Sequence, residues 1–371
     1  MKIILHIING LGNGGAERVL YTLCKADTLN KHYVISLTNK GVYAELLISS
    51  GIVVKTMNMK NPLGFLSSMI RIFHVIKKIN PDIVQTWMPY SDLIGGVIAR
   101  ASGVKEIYWG VHLANIDLLP VKTKFVVRIC SKLSYFLPMK IICCAESSRV
   151  ALDSAGYDRS KMEVINNGYD ELYYQNTGKN LKKSDLFPSM TEESVILGSV
   201  TRWDIYKDIP NLLKSLKDLV NCDIDFKCIL VGCEIDKDNV SLLELLNELN
   251  LEEHVILLGA RSDIPVILRT IDIFVLSSAS EAFPNVIVES MLCGTPCVAT
   301  DVGDVAKIID RYGWIVPPLN SSELSRKIML AVSDMKDTKQ WLARKSNCRS
   351  WAKNNFSIDR MVNSYNQTWN S

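Results

Sequence analysis

One pattern limits the fold of this chain more than any other: short apolar, β-branched runs alternate with helical spacing from end to end. In the first half the runs are Ile3–Ile8, Tyr33–Leu37, Ile52–Met57, Ile83–Thr86, Glu106–Gly110, Lys140–Cys144 and Val164–Ile165. In the second they are Val195–Val200, Phe226–Val231, Val255–Leu258, Ile273–Leu276, Cys297–Thr300 and Trp314–Val316. Helical segments such as Asn211–Leu219 and Leu242–Leu249 separate most of them. Alternating β and α elements predict parallel sheets covered by helices on both faces. The pattern breaks once. Asn166-Asn167-Gly168-Tyr169-Asp170 is a turn cluster, followed by a polar stretch with Lys182-Lys183 and Pro188, before a fresh strand begins near Val195. A chain of 371 residues is also too long for one ordinary core. The expectation is an α/β protein of two tandem, Rossmann-like doubly wound domains facing a cleft: 1–170 and 193–356, with a hinge at about 168–192. In such sheets ligands sit at the carboxyl ends of the strands, so the loops that follow strands are where chemistry belongs.

Composition excludes several classes. Apolar residues at 48% and charged residues at 22% describe a globular chain, not a disordered one. The opening MKIILHIING is too short for a signal-peptide core and lacks a small-residue cleavage site, so it reads as a first strand. No run approaches the roughly 18 apolar residues that span a bilayer. Ten cysteines without a C-x-x-C pair suit a reduced, cytoplasmic interior. The net charge of +3 hides an asymmetry: Met1–Met190 holds 23 Lys and Arg against 14 Asp and Glu, the remainder 19 against 25. The basic half is expected to meet something anionic, whether nucleic acid, a membrane surface or a phosphorylated substrate.

The loop after the first run, HIINGLGNGGAERVL, contains Gly10, Gly12 and Gly15 at the G-x-G-x-x-G spacing of a dinucleotide turn. Such a fold needs a carboxylate at the end of the second strand to hold the ribose, and Leu37-Thr38-Asn39-Lys40 offers none. The glycines still allow an anion close to amides at a helix N-terminus. A tight turn without a ligand is the alternative. In the second half, Arg202 and Lys207 stand five apart on a strand-to-helix loop, where two cations can close on a diphosphate or simply face solvent. Further on, Glu281 falls on the loop after Ile273–Leu276 and Glu289 about one turn inside the helix that follows. The amides near Pro284–Ile287, Asn285 and Val286 among them, are expected as free helix N-terminal donors for a phosphate. Glu289 by spacing alone is equally an exposed helix residue. Asp223-Ile224-Asp225 has the spelling of a metal-binding pair, but it precedes a strand where ligands belong at its outlet. No His and Cys spacing resembles a zinc site.

Arg202-x4-Lys207 followed by Glu281-x7-Glu289 inside EAFPNVIVESMLCGTPCVAT resembles glycosyltransferase family 4, the retaining nucleotide-sugar transferases of GT-B fold. GGAERV at Gly14–Val19 resembles that family's N-terminal loop, DIVQTWMPYSDLIGG and VINNGYD its middle and hinge segments, and WAKNNFSIDRMVNSYNQTW its C-terminal helix, about 357–370, which crosses back to the first domain. Ala282 and Ser290 replace the commoner Gly and Ala, and Asp208 stands where Gly often follows the lysine. The resemblance implies an N-terminal acceptor domain and a C-terminal donor domain. Arg202 and Lys207 would hold the donor diphosphate and stabilise the departing nucleotide. Glu289 would take the ribose hydroxyls and Glu281 the transferred sugar. Gly14 and Gly15 would approach the donor phosphate or the acceptor across the cleft, Asn285 and Val286 would complete the donor site, and His112, in WGVHLAN, would contact the donor sugar unless it is simply structural. The implied donor is a UDP-linked sugar and the implied acceptor a glycan, on a polyprenyl diphosphate, in bacterial surface polysaccharide assembly. No metal, cofactor or nucleic acid is implied.

Val121 to Leu137 reads as a helix with Phe125, Ile129, Leu133 and Phe136 as its apolar face and Lys124, Arg128 and Lys132 beside it. A basic stripe flanking large apolar groups suits peripheral contact with an anionic membrane, or an ordinary domain helix with a solvated edge. Two rival functions share these features: a sugar-nucleotide epimerase of the same build, and a non-catalytic glycan-binding protein.

Overall fold

The computed structural model describes residues 1–59, 62–113, 115–175 and 194–371; residues 176–192 of the expected hinge lie outside them. The chain forms two units, Met1–Gly168 with Ile358–Ser371, and Tyr169–Ser357. Both are α/β. All thirteen sequence runs overlap strands, with ends shifted by at most a few residues.

The first unit holds a seven-stranded parallel sheet of order β3-β2-β1-β4-β5-β6-β7. Its strands are β1 (Ile3–Ile8), β2 (Lys31–Ser36), β3 (Val53–Thr56), β4 (Ile83–Trp87), β5 (Glu106–Val111), β6 (Lys140–Cys143) and β7 (Met162–Val164). Successive side chains on a strand point to opposite faces, so β1 serves two cores at once. Leu5 and Ile7 enter one cluster with Val84, Ile107 and Trp109. Ile4 and Ile8 enter the other with Leu20, Leu47, Trp87 and Met361, Tyr365 and Trp369 of the C-terminal helix Ile358–Trp369. Those last three residues recur every four positions, one stripe of an amphipathic helix, and all three are buried.

The second unit holds a six-stranded parallel sheet of order β10-β9-β8-β11-β12-β13. Its strands are β8 (Val195–Val200), β9 (Phe226–Val231), β10 (Val255–Leu257), β11 (Ile273–Leu276), β12 (Cys297–Thr300) and β13 (Trp314–Val316). This is the 3-2-1-4-5-6 order of a doubly wound sheet. Its strand order reverses between β8 and β11, and the crevice outside their carboxyl ends is where such sheets bind ligands.

The basic helix differs from expectation. It ends at Leu133 and turns its Val126, Val127, Cys130 and Ser131 face inward. Of the expected apolar face, Phe125 and Phe136 are 65% and 82% exposed, while Ile129 and Leu133 are partly buried. Two apolar stripes compete on this segment, and the smaller side chains fit the neighbouring helix Pro89–Ala101.

Candidate active site

The loops that leave β8 and β11 are tied together at the switch point of the second sheet. Ala279 N donates to Tyr206 O at 2.8 Å, and Ser277 Oγ donates to Lys207 O at 2.9 Å. Lys207 Nζ then reaches Glu281 Oε1 at 2.5 Å, with both side chains mostly buried. Ser278 Oγ donates to the same oxygen at 2.8 Å, and Thr300 Oγ1 fixes Ser278 from behind through its carbonyl at 2.7 Å. Gly303, at φ 58, makes this packing possible: a Cβ there would lie 2.3 Å from Glu281 O and 2.4 Å from Ala282 O. Lys207 closes a short 3-10 turn, Ile205–Lys207, capped by Asp204, and Asp208 follows at φ 47. That left-handed backbone explains why glycine is common there. Aspartate tolerates it, and its side chain also caps the next helix by accepting from Asn211 N.

Arg202 lies on the same loop but is held differently. Its Nε donates to Asp204 Oδ2 at 3.2 Å, and its side chain is 60% exposed. Glu289 is not an exposed helix residue: it is buried inside the helix Asn285–Leu292. Asn285 and Val286 open this helix and are partly buried. Tyr169 OH donates to Asn285 Oδ1. The Ile287 amide, expected as a free donor, instead gives to Pro284 O at 3.1 Å. The first turn tightens into an i→i+3 bond, one of the ordinary ways a helix end satisfies itself. Asp225 of the acidic pair accepts from Ser194 Oγ at 2.8 Å at the entry to β9, the sheet edge opposite Lys207 and Glu281.

In the first unit, Gly14 caps the helix Gly15–Ala26 through its backbone, with no side-chain cap. Glu17 of the first turn folds over it, so a Cβ on Gly14 would meet Glu17 Oε2 at 2.3 Å. Burial raises the Glu17 carboxyl above its ordinary value. His112 follows β5 and stacks on Trp87, with ring centroids 5.6 Å apart at 26°. Burial pushes its imidazole down to about 4, so at neutral pH it is uncharged. Met88, next to Trp87, adopts φ 75 and ψ 155, a region nearly reserved for glycine that costs on the order of 1–3 kcal/mol. Its amide is anchored on Gly110 O at 2.8 Å.

Sequence spacing did not anticipate one cluster: among the described residues, His6, Cys24 and His32 bring ligand-type atoms within 4.8 Å of one another. Register explains it. His6 pairs with Val34, which places His32 two residues away on the same face. The hydrogen bonds, however, use every ring nitrogen. Trp87 Nε1, a donor only, gives to His6 Nδ1 at 3.2 Å; His6 Nε2 then meets His32 Nδ1 at 2.9 Å, and His32 Nε2 meets Asp27 Oδ2 at 3.2 Å. Burial opposes ionisation of Asp27, yet bonds from His32, Asn30, Leu29 N and Asn366 hold it well below the usual carboxylate range. The site reads as a hydrogen-bond relay, not a metal centre. Ser278, Asp204 and Gly303 also escaped the sequence reading; only the Asp204-x-Tyr206 spacing, an Asx turn, carried a visible signal.

Two doubly wound parallel sheets, one in each unit, define a GT-B fold. The comparisons agree. Residues 13–171 match the glycosyltransferase family 4 model and residues 183–347 the glycosyl transferases group 1 model. This chain belongs to that family and is a glycosyltransferase. It is 26% identical over 305 residues to the Escherichia coli UDP-Gal:alpha-D-GlcNAc-diphosphoundecaprenol alpha-1,3-galactosyltransferase, covering 80% of this chain and 77% of that one. It is 28% identical over 292 residues to the Campylobacter jejuni N,N'-diacetylbacillosaminyl-diphospho-undecaprenol alpha-1,3-N-acetylgalactosaminyltransferase, covering 74% of each. The crystal structure of Anabaena HepE with UDP and glucose shares the fold, with a TM-score of 0.86 at 23% identity over 99% of both chains.

Proposed function

We propose that this enzyme moves a sugar from a UDP-linked donor to a glycan carried on a polyprenyl diphosphate, with retention at the anomeric carbon, in assembly of a bacterial surface polysaccharide such as an O-antigen or capsule. The observation that carries the reading is the Lys207–Glu281 pair at the switch point of the second sheet. Lys207 and Arg202 bind the donor diphosphate and stabilise the charge that develops as the C1–O bond breaks and its electron pair leaves with the nucleotide. Glu281 holds the transferred sugar and favours the positive charge growing on C1. Glu289 takes the ribose hydroxyls, and Asn285 and Val286 open the helix whose N-terminus faces phosphate. Gly14 and Gly15 let a phosphate approach the first unit, which takes the acceptor, and His112 hydrogen-bonds the donor sugar as a neutral imidazole. The E. coli and C. jejuni relatives act on diphosphoundecaprenol-linked sugars, which supports the acceptor class.

The test is direct. The protein is incubated with UDP-galactose, UDP-glucose or UDP-N-acetylgalactosamine and a short polyprenyl-diphosphate-linked N-acetylglucosamine. One donor is expected to give a lengthened product with an α linkage. Isomerisation of the donor without transfer would make the protein an epimerase, and neither turnover nor UDP binding would leave a glycan-binding protein.

The acceptor's lipid gives the enzyme a reason to work at the cytoplasmic face of a membrane. Among the described residues no helix is long and apolar enough to cross one. Peripheral contact suits the helix Val121–Leu133, where exposed Val121 and Phe125 lie among Lys122, Lys124, Arg128 and Lys132, with exposed Phe136 just beyond its end. Each basic residue near an anionic surface contributes about 1 kcal/mol. Replacing Lys124, Arg128 and Lys132 with Gln is therefore expected to weaken partitioning onto phosphatidylglycerol vesicles about a hundredfold in sedimentation, with UDP binding unchanged. Equal sedimentation of parent and variant would return this helix to an ordinary domain surface.

A further inference from the structure

The relay behind β1 ends on the residue beneath His112, which gives it a task that the proposed chemistry leaves unassigned. The geometry points to Trp87 as a positioning residue for His112, with the indole held in place by the buried chain His6–His32–Asp27; this rests on His112 meeting the donor sugar as proposed above. A donor-only indole stands at one end and an acceptor-only carboxylate at the other, so the chain has one consistent direction: both imidazoles are neutral and carry their proton on Nε2. Asp27 is itself fixed from the C-terminal helix, where Asn366 Nδ2 donates to it at 3.3 Å, and Tyr365 of that helix stacks on Trp87 at 6.1 Å. The indole is therefore held by its Nε1 bond and by two stacked rings, Tyr365 and His112. Strain at Met88 marks the same place. The backbone leaves β4 in a conformation unfavourable for methionine, and Gly110 anchors it two residues before His112. A single rigid surface is what a neutral imidazole needs if it is to meet a sugar hydroxyl at one angle, since small misplacements of such groups lower turnover steeply.

The experiment is a double-mutant cycle on Trp87→Phe and His112→Ala, read as kcat with the UDP-sugar that the donor panel selects and as Kd for free UDP. Trp87→Phe keeps an aromatic face on His112 and deletes the Nε1 donor together with part of the buried ring volume. Alone it is expected to lower kcat about tenfold with Kd for UDP within twofold, and in the His112→Ala background to lower it no further. Equal losses in both backgrounds, or a parental kcat in Trp87→Phe alone, would overturn the positioning role while leaving His112 in place. Parental kcat in His112→Ala would instead overturn the role of His112 and this inference with it. A second measurement needs no variant: long-range proton–nitrogen spectra of the five histidines. His6 and His32 are expected as Nε2–H tautomers at neutral pH. An Nδ1–H tautomer at either, or a charged ring, would dissolve the relay whatever the kinetics show.

Discussion

Glu281→Gln is expected to lower sugar transfer at least about 10³-fold while binding free UDP more tightly than the parent. The loss follows from its proposed place beside C1, where the amide keeps the shape of the carboxylate and discards the charge; a single preorganised group of this kind is commonly worth about 10²–10³ in kcat or more. The gain follows from the resting geometry. Glu281 accepts from Lys207 at 2.5 Å, so a donor diphosphate must compete with a carboxylate for the one ammonium. A partly exposed ion pair contributes about 1 kcal/mol at most, which corresponds to about fivefold in Kd once the competitor is neutral. Calorimetry with UDP and initial rates with the donor read the two effects separately. Normal turnover would remove Glu281 from the mechanism. Weaker UDP binding would mean that the diphosphate does not meet Lys207, since freeing that lysine could then only disturb the loop.

The sheets were legible in the sequence for a physical reason. Strands buried on both faces of a parallel sheet read as continuous apolar runs, and Ile273–Leu276 and Cys297–Thr300 are fully buried in this way. The Lys207–Glu281 contact, between residues 74 apart, was not read from the sequence: it follows from β8 and β11 pairing as parallel neighbours, which delivers their exits to one edge. What failed was phase and register. The helix after Pro120 has more apolar residues than one stripe can hold, so periodicity gives its repeat but cannot choose between Phe125 and Val126 as the inward residue. The His6–His32 contact depends on β1 and β2 pairing with His6 opposite Val34, and a slip of one residue would have turned one ring to the other face. Glu289 could not be read as buried from spacing, because a carboxylate on a helix is exposed by default.

Lys207→Ala and Arg202→Ala are expected to lower kcat unequally, by about 10³-fold and about 10²-fold, the two ends of the usual range for losing one fixed charge donor. The order comes from how each cation is held. Lys207 is mostly buried, and its backbone carbonyl is tied to Ser277 across the two loops, so its ammonium is already placed before the donor arrives. Arg202 is 60% exposed and restrained by one bond to Asp204, so part of its interaction with the diphosphate must offset the cost of ordering a long side chain. Asp204→Ala should therefore reproduce at least a fraction of the Arg202→Ala loss, and because Asp204 also caps the turn that ends on Lys207, its effect is not confined to the arginine. Two side-chain cations are enough to balance a departing diphosphate, so the parent is expected to keep its rate in EDTA. The decisive comparison is between chelation and the lysine variant. If EDTA stops the reaction, magnesium or manganese restores it, and Lys207→Ala turns over normally, then the leaving group is neutralised by an ion and Lys207 serves only to hold Glu281.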